Sequence, residues 1–204
     1  DGHMIEKMTG DVRQQLQLPE PKEVVLTTDA PWEGNTCAYY TIFRDGDLFR
    51  MYYRGSHWDT AKKKATHREV TCYAESRDGV NWVKPNLGLF EFDGSKDNNI
   101  VLDGLGTHCF VAFRDESPNA RPEARYRGVS RGWPLGKTGL YIYESPDGIR
   151  WKMTQRKPVI TQGEFDSQNL AFWDARIGKY REYHRIFVNG IRAIMTATSD
   201  DFVQ

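Results

Sequence analysis

Two heptapeptides of this chain are near copies of one another. "SRDGVNW" occupies 76–82 and "SPDGIRW" occupies 145–151, each with a Ser, an Asp-Gly pair and a closing Trp. A partial third copy, "SDDFVQ", fills 199–204, and its Trp would stand at the position after Gln204. Upstream of each lies a second shared signal: an aromatic residue, Arg, three residues and Arg again. It reads "FRMYYR" (49–54), "YRGVSR" (126–131) and "YREYHR" (180–185). Fourteen residues separate the second Arg from the Ser in the last two copies. In the first copy the interval is longer by eight, around "HWDTAKKKATH", which reads as a loop insertion. Two signals at one spacing identify a structural repeat, and a repeat restricts the chain to architectures made of like units.

The texture inside each unit is β. "TCAYYTIF" and "LFRMYY" are rich in aromatic and β-branched residues and flank the hairpin signal "RDGD". "NLAFW" and "KYREYHRIF" flank "DARIG" in the same way, and "TGLYIYES" and "VTCYAES" each run into an Asp-Gly turn and a Trp-bearing strand. Each unit therefore reads as a four-stranded antiparallel meander, and successive meanders predict an all-β propeller of about three blades. No long segment carries the helical period. The expected blades are 32–103, 104–162 and 163–204, after an N-terminal segment, 5–31, that contains the β-rich run "KEVVLTT". Asp1 to Met4, "DGHM", reads as a cloning scar and is set aside. The Ser-x-Asp phrase itself reads as scaffold, because Asp-Gly supplies the positive φ of a tight turn and the Ser and Asp side chains bond local backbone.

Composition narrows the function classes. Lys plus Arg (28) balances Asp plus Glu (28), so no global charge favours nucleic acid or an anionic membrane. No apolar run approaches the length that spans a bilayer, and the chain reads as soluble with no membrane partner. Cys37, Cys72 and Cys109 lie in apolar runs without C-x-x-C spacing, which predicts buried free thiols on strands and favours a reducing compartment such as the cytoplasm. "GLGTH" has no helix after it and is no dinucleotide loop.

In a propeller the innermost strands line a channel whose mouth binds ligands. With the innermost strand placed first in each unit, its start falls near Glu33 and Asn35, near His108, and near Asp166, Gln168 and Asn169. Residues two apart on a strand share a face, which would group Glu33 with Asn35, and Glu164 with Asp166 and Gln168. The second strand runs back, so Arg54, Arg131 and Arg185 return to the same end. Two readings of this polar ring stand side by side. It forms inter-blade ion pairs that fix blade order, or it forms a pocket for a hydroxylated ligand. Trp133, just after Arg131, is either a packing residue or a platform for a sugar ring. His108 alone makes no metal site, so no metal and no cofactor is expected.

Several stretches are similar to a known superfamily. "FDSQNLAFWDARIGKYREYHR" resembles the strand with the Arg-Asp-Pro motif in invertase-like glycoside hydrolases, and "PWEGNTCAYYTIFRDGDLFRMYYRG" resembles their first blade. "CYAESRDGVNW", "GLFEFDGSKDNNIV" and "YESPDGIRW" add a likeness to an uncharacterised bacterial group of the five-bladed invertase and arabinanase superfamily. The Ser-x-Asp phrase is a loose variant of the Asp-box of sialidase-type propellers. The resemblance implies a glycoside hydrolase-like propeller that acts on or binds a carbohydrate in its funnel. Asp166 matches an acidic position at an inner-strand start. Glu33 stands near the first-blade nucleophile but in "WEGN" rather than Asn-Asp-Pro. Glycosidases place two carboxylates across the scissile bond. The implied catalytic pair is Glu33 as base or nucleophile and Asp166 as acid or stabiliser. Substrate would be oriented by Asn35, Arg54, His108, Arg131, Gln168, Asn169 and Arg185. The alternative is a propeller fragment that binds sugar or a partner without turnover. Three blades do not close a five-bladed ring, which raises the expectation of a homodimer in which residues 24–28 of each copy pair with 191–198 of the other.

Overall fold

A computed structural model describes residues 5–132 and 138–204; Asp1 to Met4 and Trp133 lie outside them. The described residues form antiparallel sheets and contain one short 3-10 turn, Pro122–Ala124. Blade 1 orders β1 (Ala38–Asp45), β2 (Leu48–Gly55), β5 (Val70–Ser76) and β6 (Trp82–Val83), with β7 (Ile100–Asp103) also paired to β5. Blade 2 orders β8 (Val111–Arg114), β9 (Tyr126–Gly132), β10 (Gly139–Ser145) and β11 (Lys152–Met153). Blade 3 has β12 (Leu170–Asp174), β13 (Lys179–Val188) and β14 (Ile191–Ser199). The eight-residue surplus of the first copy is a small hairpin, β3 (Trp58–Asp59) and β4 (Lys64–Ala65), where the sequence predicted a loop.

The Ser-x-Asp phrases are scaffold, as the sequence predicts. Ser76 Oγ accepts from Gly79 N (2.9 Å), Asp78 Oδ1 accepts from Val80 N (2.9 Å) and Asn81 N (2.7 Å), and Trp82 Nε1 donates to Gly79 O (3.0 Å). Ser145, Asp147 and Trp151 repeat the set. The glycine is needed twice over at 148. Its φ is +76°, and a Cβ there would come within 2.9 Å of the Tyr52 hydroxyl of blade 1, which donates to Gly148 O at 2.7 Å. In the third copy Phe202 takes the positive φ (+68°), and its ring packs against Phe113 and Tyr180.

Blades are locked by a clamp that uses the first Arg of the first two aromatic-Arg signals. Arg50 pairs with Asp45 (2.7 Å), and the Tyr126 hydroxyl of blade 2 donates to the same carboxylate. Arg127 pairs with Asp115 (2.8 Å), and Tyr180 of blade 3 donates to it at 2.8 Å. Buried charges held this way satisfy one another and fix blade order. Between blades 1 and 2 the core is aromatic: Tyr52, Tyr73, Phe110, Tyr141 and Tyr143, with Trp151 set edge-on to Phe110 at 4.9 Å.

The run 22–28 is not a strand. Leu26 packs against the blade 1 core, and Lys84 Nζ donates to Thr27 O at 2.6 Å. All three cysteines are free, but only Cys72 lies within a strand; Cys37 and Cys109 precede β1 and β8. Among the described residues no helix is long and apolar enough to cross a membrane.

Candidate functional site

The inner strands begin later than the sequence suggests. β1 starts at Ala38, β8 at Val111 and β12 at Leu170, so Glu33, Asn35, His108, Asp166, Gln168 and Asn169 all occupy the loops that lead in. The expected grouping by strand alternation therefore has no strand to act on, and each residue goes where its loop sends it. The return of the second strands holds. Arg54 faces Ala38 across β1 and β2, and Arg131 lies at the corresponding end of β9.

Five ionisable side chains from three blades meet at this end. His108 Nδ1 lies 2.9 Å from Glu69 Oε2, and His108 Nε2 lies 2.8 Å from Asp166 Oδ1. Arg54 Nη1 is 3.5 Å from Glu69 Oε1 and 3.3 Å from His108 Nδ1. Arg131 Nη1 reaches Asp166 Oδ1 at 3.2 Å. The result is a continuous row, Arg54–Glu69–His108–Asp166–Arg131, with an imidazole held between two carboxylates. The Asp166 side chain is 57% exposed and that of His108 20%, so the row opens to solvent at Asp166. A cleft of about 250 Å³ adjoins it, lined by Arg131, Thr138, Gly163, Glu164, Phe165 and Asp166.

The electrostatics follow from this geometry. Burial pushes the Glu69 carboxyl up, but the His108 hydrogen bond and the charges of His108, Arg54 and Arg131 outweigh it and hold the group below its ordinary value. Burial also opposes ionisation of Asp166, and there the His108 hydrogen bond with the charges of Arg131, His108 and Arg185 brings the net shift down. Both groups are thus kept as carboxylates, which accept hydrogen bonds.

Tyr39 completes the mouth. Its ring lies 5.5 Å from the His108 ring, and the Arg54 guanidinium sits over it at 4.9 Å. Its φ is +56°, at an irregularity of the β1 register between Ala38 and Thr41. A bulky residue in the left-handed region is costly and persists only where its surroundings hold it. Sequence reasoning missed both Tyr39 and Glu69. Glu69 follows the inserted hairpin and immediately precedes β5, whose Thr71 faces Arg54, so the antiparallel return marks it as a neighbour of Arg54.

The remaining candidates separate from this row. Glu33 is fully buried; its Oε2 accepts from Lys84 Nζ (2.7 Å) and Ala30 N (2.9 Å), and its Oε1 accepts from the Tyr53 hydroxyl. Asn35 exchanges hydrogen bonds with the Trp58 backbone at 2.9 and 3.1 Å and so anchors the inserted hairpin. Gln168 Nε2 donates to Tyr40 O (3.0 Å) and Thr41 Oγ1 (2.9 Å), tying blade 3 back to blade 1. Asn169 is buried and donates to Phe165 O and Ser167 O within its own loop. Arg185 Nε donates to Glu164 O at 3.2 Å, and its charge acts on Asp166 from a distance. Among the described residues no group of three acidic, His or Cys side chains is arranged to hold a metal ion.

Solved structures with the same backbone arrangement are carbohydrate-active proteins. A fructofuranosidase from Schwanniomyces occidentalis complexed with fructosylnystose matches at TM-score 0.54 and 12% identity, over 85% of this chain and 33% of that one. A thermostable family-43 glycoside hydrolase matches at 0.52 and 15%, over 87% and 53%. An N-acetylgalactosamine deacetylase from F. plautii, in complex with blood group B trisaccharide, matches at 0.52 and 13%, over 82% and 50%. The fold is that of the β-propeller glycoside hydrolases. In sequence, uncharacterised proteins from two strains of Mycobacterium tuberculosis are each 31% identical over 121 residues, 56% of this chain and 33% of theirs. The chain thus spans about a third of the length of the curated relatives it matches. No family model matches it.

Proposed function

We propose that the mouth formed by Tyr39, Arg54, Glu69, His108, Arg131 and Asp166 binds a carbohydrate, with Asp166 as the carboxylate that engages it. The observation that carries this reading is the row of arginines, carboxylates and an imidazole drawn from three blades and open at Asp166. Ionised carboxylates and arginines accept and donate the paired hydrogen bonds that sugar hydroxyls offer, and the half-buried Tyr39 ring adds an apolar face. The glycosidase-like fold of the solved neighbours supports the ligand class.

Hydrolysis by this chain is the second reading, and the placement of Glu33 weighs against it. A glycosidase needs a second carboxylate across the bond from Asp166. Glu33 is buried under Lys84 and Tyr53, Glu69 is already engaged by His108 and Arg54, and Glu164, which lines the cleft, stands in the same loop as Asp166. Binding without turnover is the activity favoured for these 204 residues. Isothermal titration against a panel of oligosaccharides, in parallel with release of aryl from aryl glycosides, tests both. Saturable binding that weakens roughly tenfold or more in Asp166→Asn and Glu69→Gln, with no turnover, is the expected result. Binding unaffected by either substitution removes the mouth as the site. Turnover lost in Asp166→Asn restores the hydrolase reading.

A further inference from the structure

The two inter-blade clamps treat their arginines differently. Arg50 is met on all three nitrogens: Nε donates to Asp45 (2.7 Å), Nη1 to the Tyr73 hydroxyl (3.2 Å) and Asp147 O (3.1 Å), and Nη2 to the Tyr126 hydroxyl (3.3 Å). Arg127 is the more buried of the two, with its side chain 6% exposed against 13%. Yet among the described residues it donates through Nε alone, to Asp115 at 2.8 Å. The register gives the cause. Tyr52 faces Tyr73 across β2 and β5, and the pair in the same place on β9 and β10 is Val129 and Ile142. Ile142 has no hydroxyl to offer, so the acceptor that Arg50 finds in Tyr73 is missing for Arg127.

A guanidinium carries five N–H donors in a fixed fork, four of them on its two Nη atoms. The faces of the Arg127 fork are covered by the Tyr180 and Phe202 rings, at 5.5 and 5.2 Å. Arg127 lines a cleft of about 210 Å³ with Ser117, Asn119, Arg121, Trp173 and Asp201. Buried donors left unmet are costly, so whatever fills this cleft must supply acceptors. The other groups of the cleft complement the fork. Asp201 Oδ1 is taken up by its own turn, from Ser199 Oγ, Val203 N and Gln204 N, and its Oδ2 accepts from nothing among the described residues. The exposed Asn119 amide also makes no hydrogen bond among them. Trp173, half-buried and set edge-on to Tyr180 at 5.0 Å, adds an aromatic wall.

Charge narrows the occupant. Arg127 is paired with Asp115, and Arg121 with Glu123 and Glu144, while Asp201 adds a further negative charge. An anion is repelled by these carboxylates and a cation by the two guanidiniums, which leaves a neutral ligand. We propose that this cleft is a second ligand site, for the ring of a neutral sugar. Its hydroxyl and ring oxygens accept from the Arg127 Nη groups, one hydroxyl donates to Asp201 Oδ2, and the ring lies against Trp173. A cleft of about 210 Å³ is smaller than the roughly 300 Å³ at which sites for drug-sized ligands begin, and suits a single ring. The site is independent of the mouth: Arg127 and Arg131 stand toward opposite ends of β9, and no residue is shared.

Titration with the methyl glycosides of glucose, galactose, mannose and xylose, followed by the indole N–H resonances of isotope-labelled protein, tests this. Methyl glucuronide and inorganic phosphate serve as anionic controls. The Trp173 resonance, assigned by its loss in Trp173→Phe, should shift saturably with at least one neutral glycoside. A Kd of roughly 1 mM is expected, the affinity that about a dozen non-hydrogen atoms supply at ordinary ligand efficiency. Arg127→Lys keeps a charge beside Asp115 but loses the fork, and should weaken binding about tenfold or more. Asn119→Ala, at an exposed position that leaves the fold intact, should weaken it about threefold, and decides the matter if Arg127→Lys does not fold. Asp166→Asn, which impairs the mouth, should leave the Trp173 response unchanged. No Trp173 shift with any neutral glycoside up to about 20 mM would assign the cleft to water and overturn the proposal. Binding that neither Arg127→Lys nor Asn119→Ala weakens, tighter binding of glucuronide or phosphate, or a shift that disappears in Asp166→Asn overturns it as well.

Discussion

Glu33 and Asp166 both stand in loops that lead into inner strands, yet the fold treats them in opposite ways. Glu33 is fully buried, and its oxygens are engaged by Lys84, Tyr53 and the Ala30 backbone. Asp166 stays more than half exposed, and its contacts with His108 and Arg131 both come from blade 2. The first arrangement binds the N-terminal segment to blade 1, since Lys84 also holds Thr27 O and Asp29. The second holds a charge at an open surface without consuming its capacity to accept. A carboxylate can serve structure or recognition, and the number of buried partners separates Glu33 from the role proposed for Asp166.

The sharpest way to break this contrast is Glu33→Ala. It takes the buried acceptor from the Lys84 ammonium, which keeps Thr27 O and Asp29, leaves the Tyr53 hydroxyl beside a cavity, and should cost about 3 kcal/mol, the low end for a buried pair because Lys84 retains those partners and some solvent contact. Urea denaturation measures it, and a loss below about 1 kcal/mol would show that the nest is not structural. Tyr53→Phe comes next. It removes one hydroxyl donor to a charged acceptor and should cost about 2 kcal/mol by the same assay.

A pH titration sharpens the comparison from the other side. The folded-state values of Glu69 and Asp166 are depressed. Their contribution is therefore fully present above the unfolded carboxylate values, near about 4, and is lost as pH falls through the folded ones. Thermal melts between pH 6 and pH 3 should fall more steeply for the unmodified chain than for Glu69→Gln/Asp166→Asn. Parallel curves would show that the row adds no stability. The smallest effect belongs to Asp166→Asn at neutral pH, expected below about 1 kcal/mol because an exposed pair is screened by solvent. A larger loss would make Asp166 a structural residue like Glu33.

The blades themselves were legible because their signals are local. The Ser-x-Asp phrases close their hydrogen bonds within three residues, and "RDGD" and "DARIG" turn between adjacent strands of matching pattern. Antiparallel return also placed Arg54 and Arg131 at the end where they are found. The loops before the strands carry no such period. Counting by twos from Glu33 or Asp166 assumed extended backbone where the chain turns, and for that reason Asn35 and Gln168 went to anchoring contacts.

By itself, then, the sequence determined what hydrogen bonds and side-chain alternation can specify over a few residues: β-blades, their turns, the inter-blade order, and the cationic end of each second strand. Tertiary structure alone decided which carboxylates meet which cations. His108 touches Glu69 across 39 positions of sequence and Asp166 across 58, and Lys84 reaches Glu33 across 51. Such contacts depend on how three blades pack, and a Coulomb interaction changes severalfold with burial and distance. No local pattern encodes either quantity, so the same two acidic letters became a buried anchor in one loop and an open acceptor in the other.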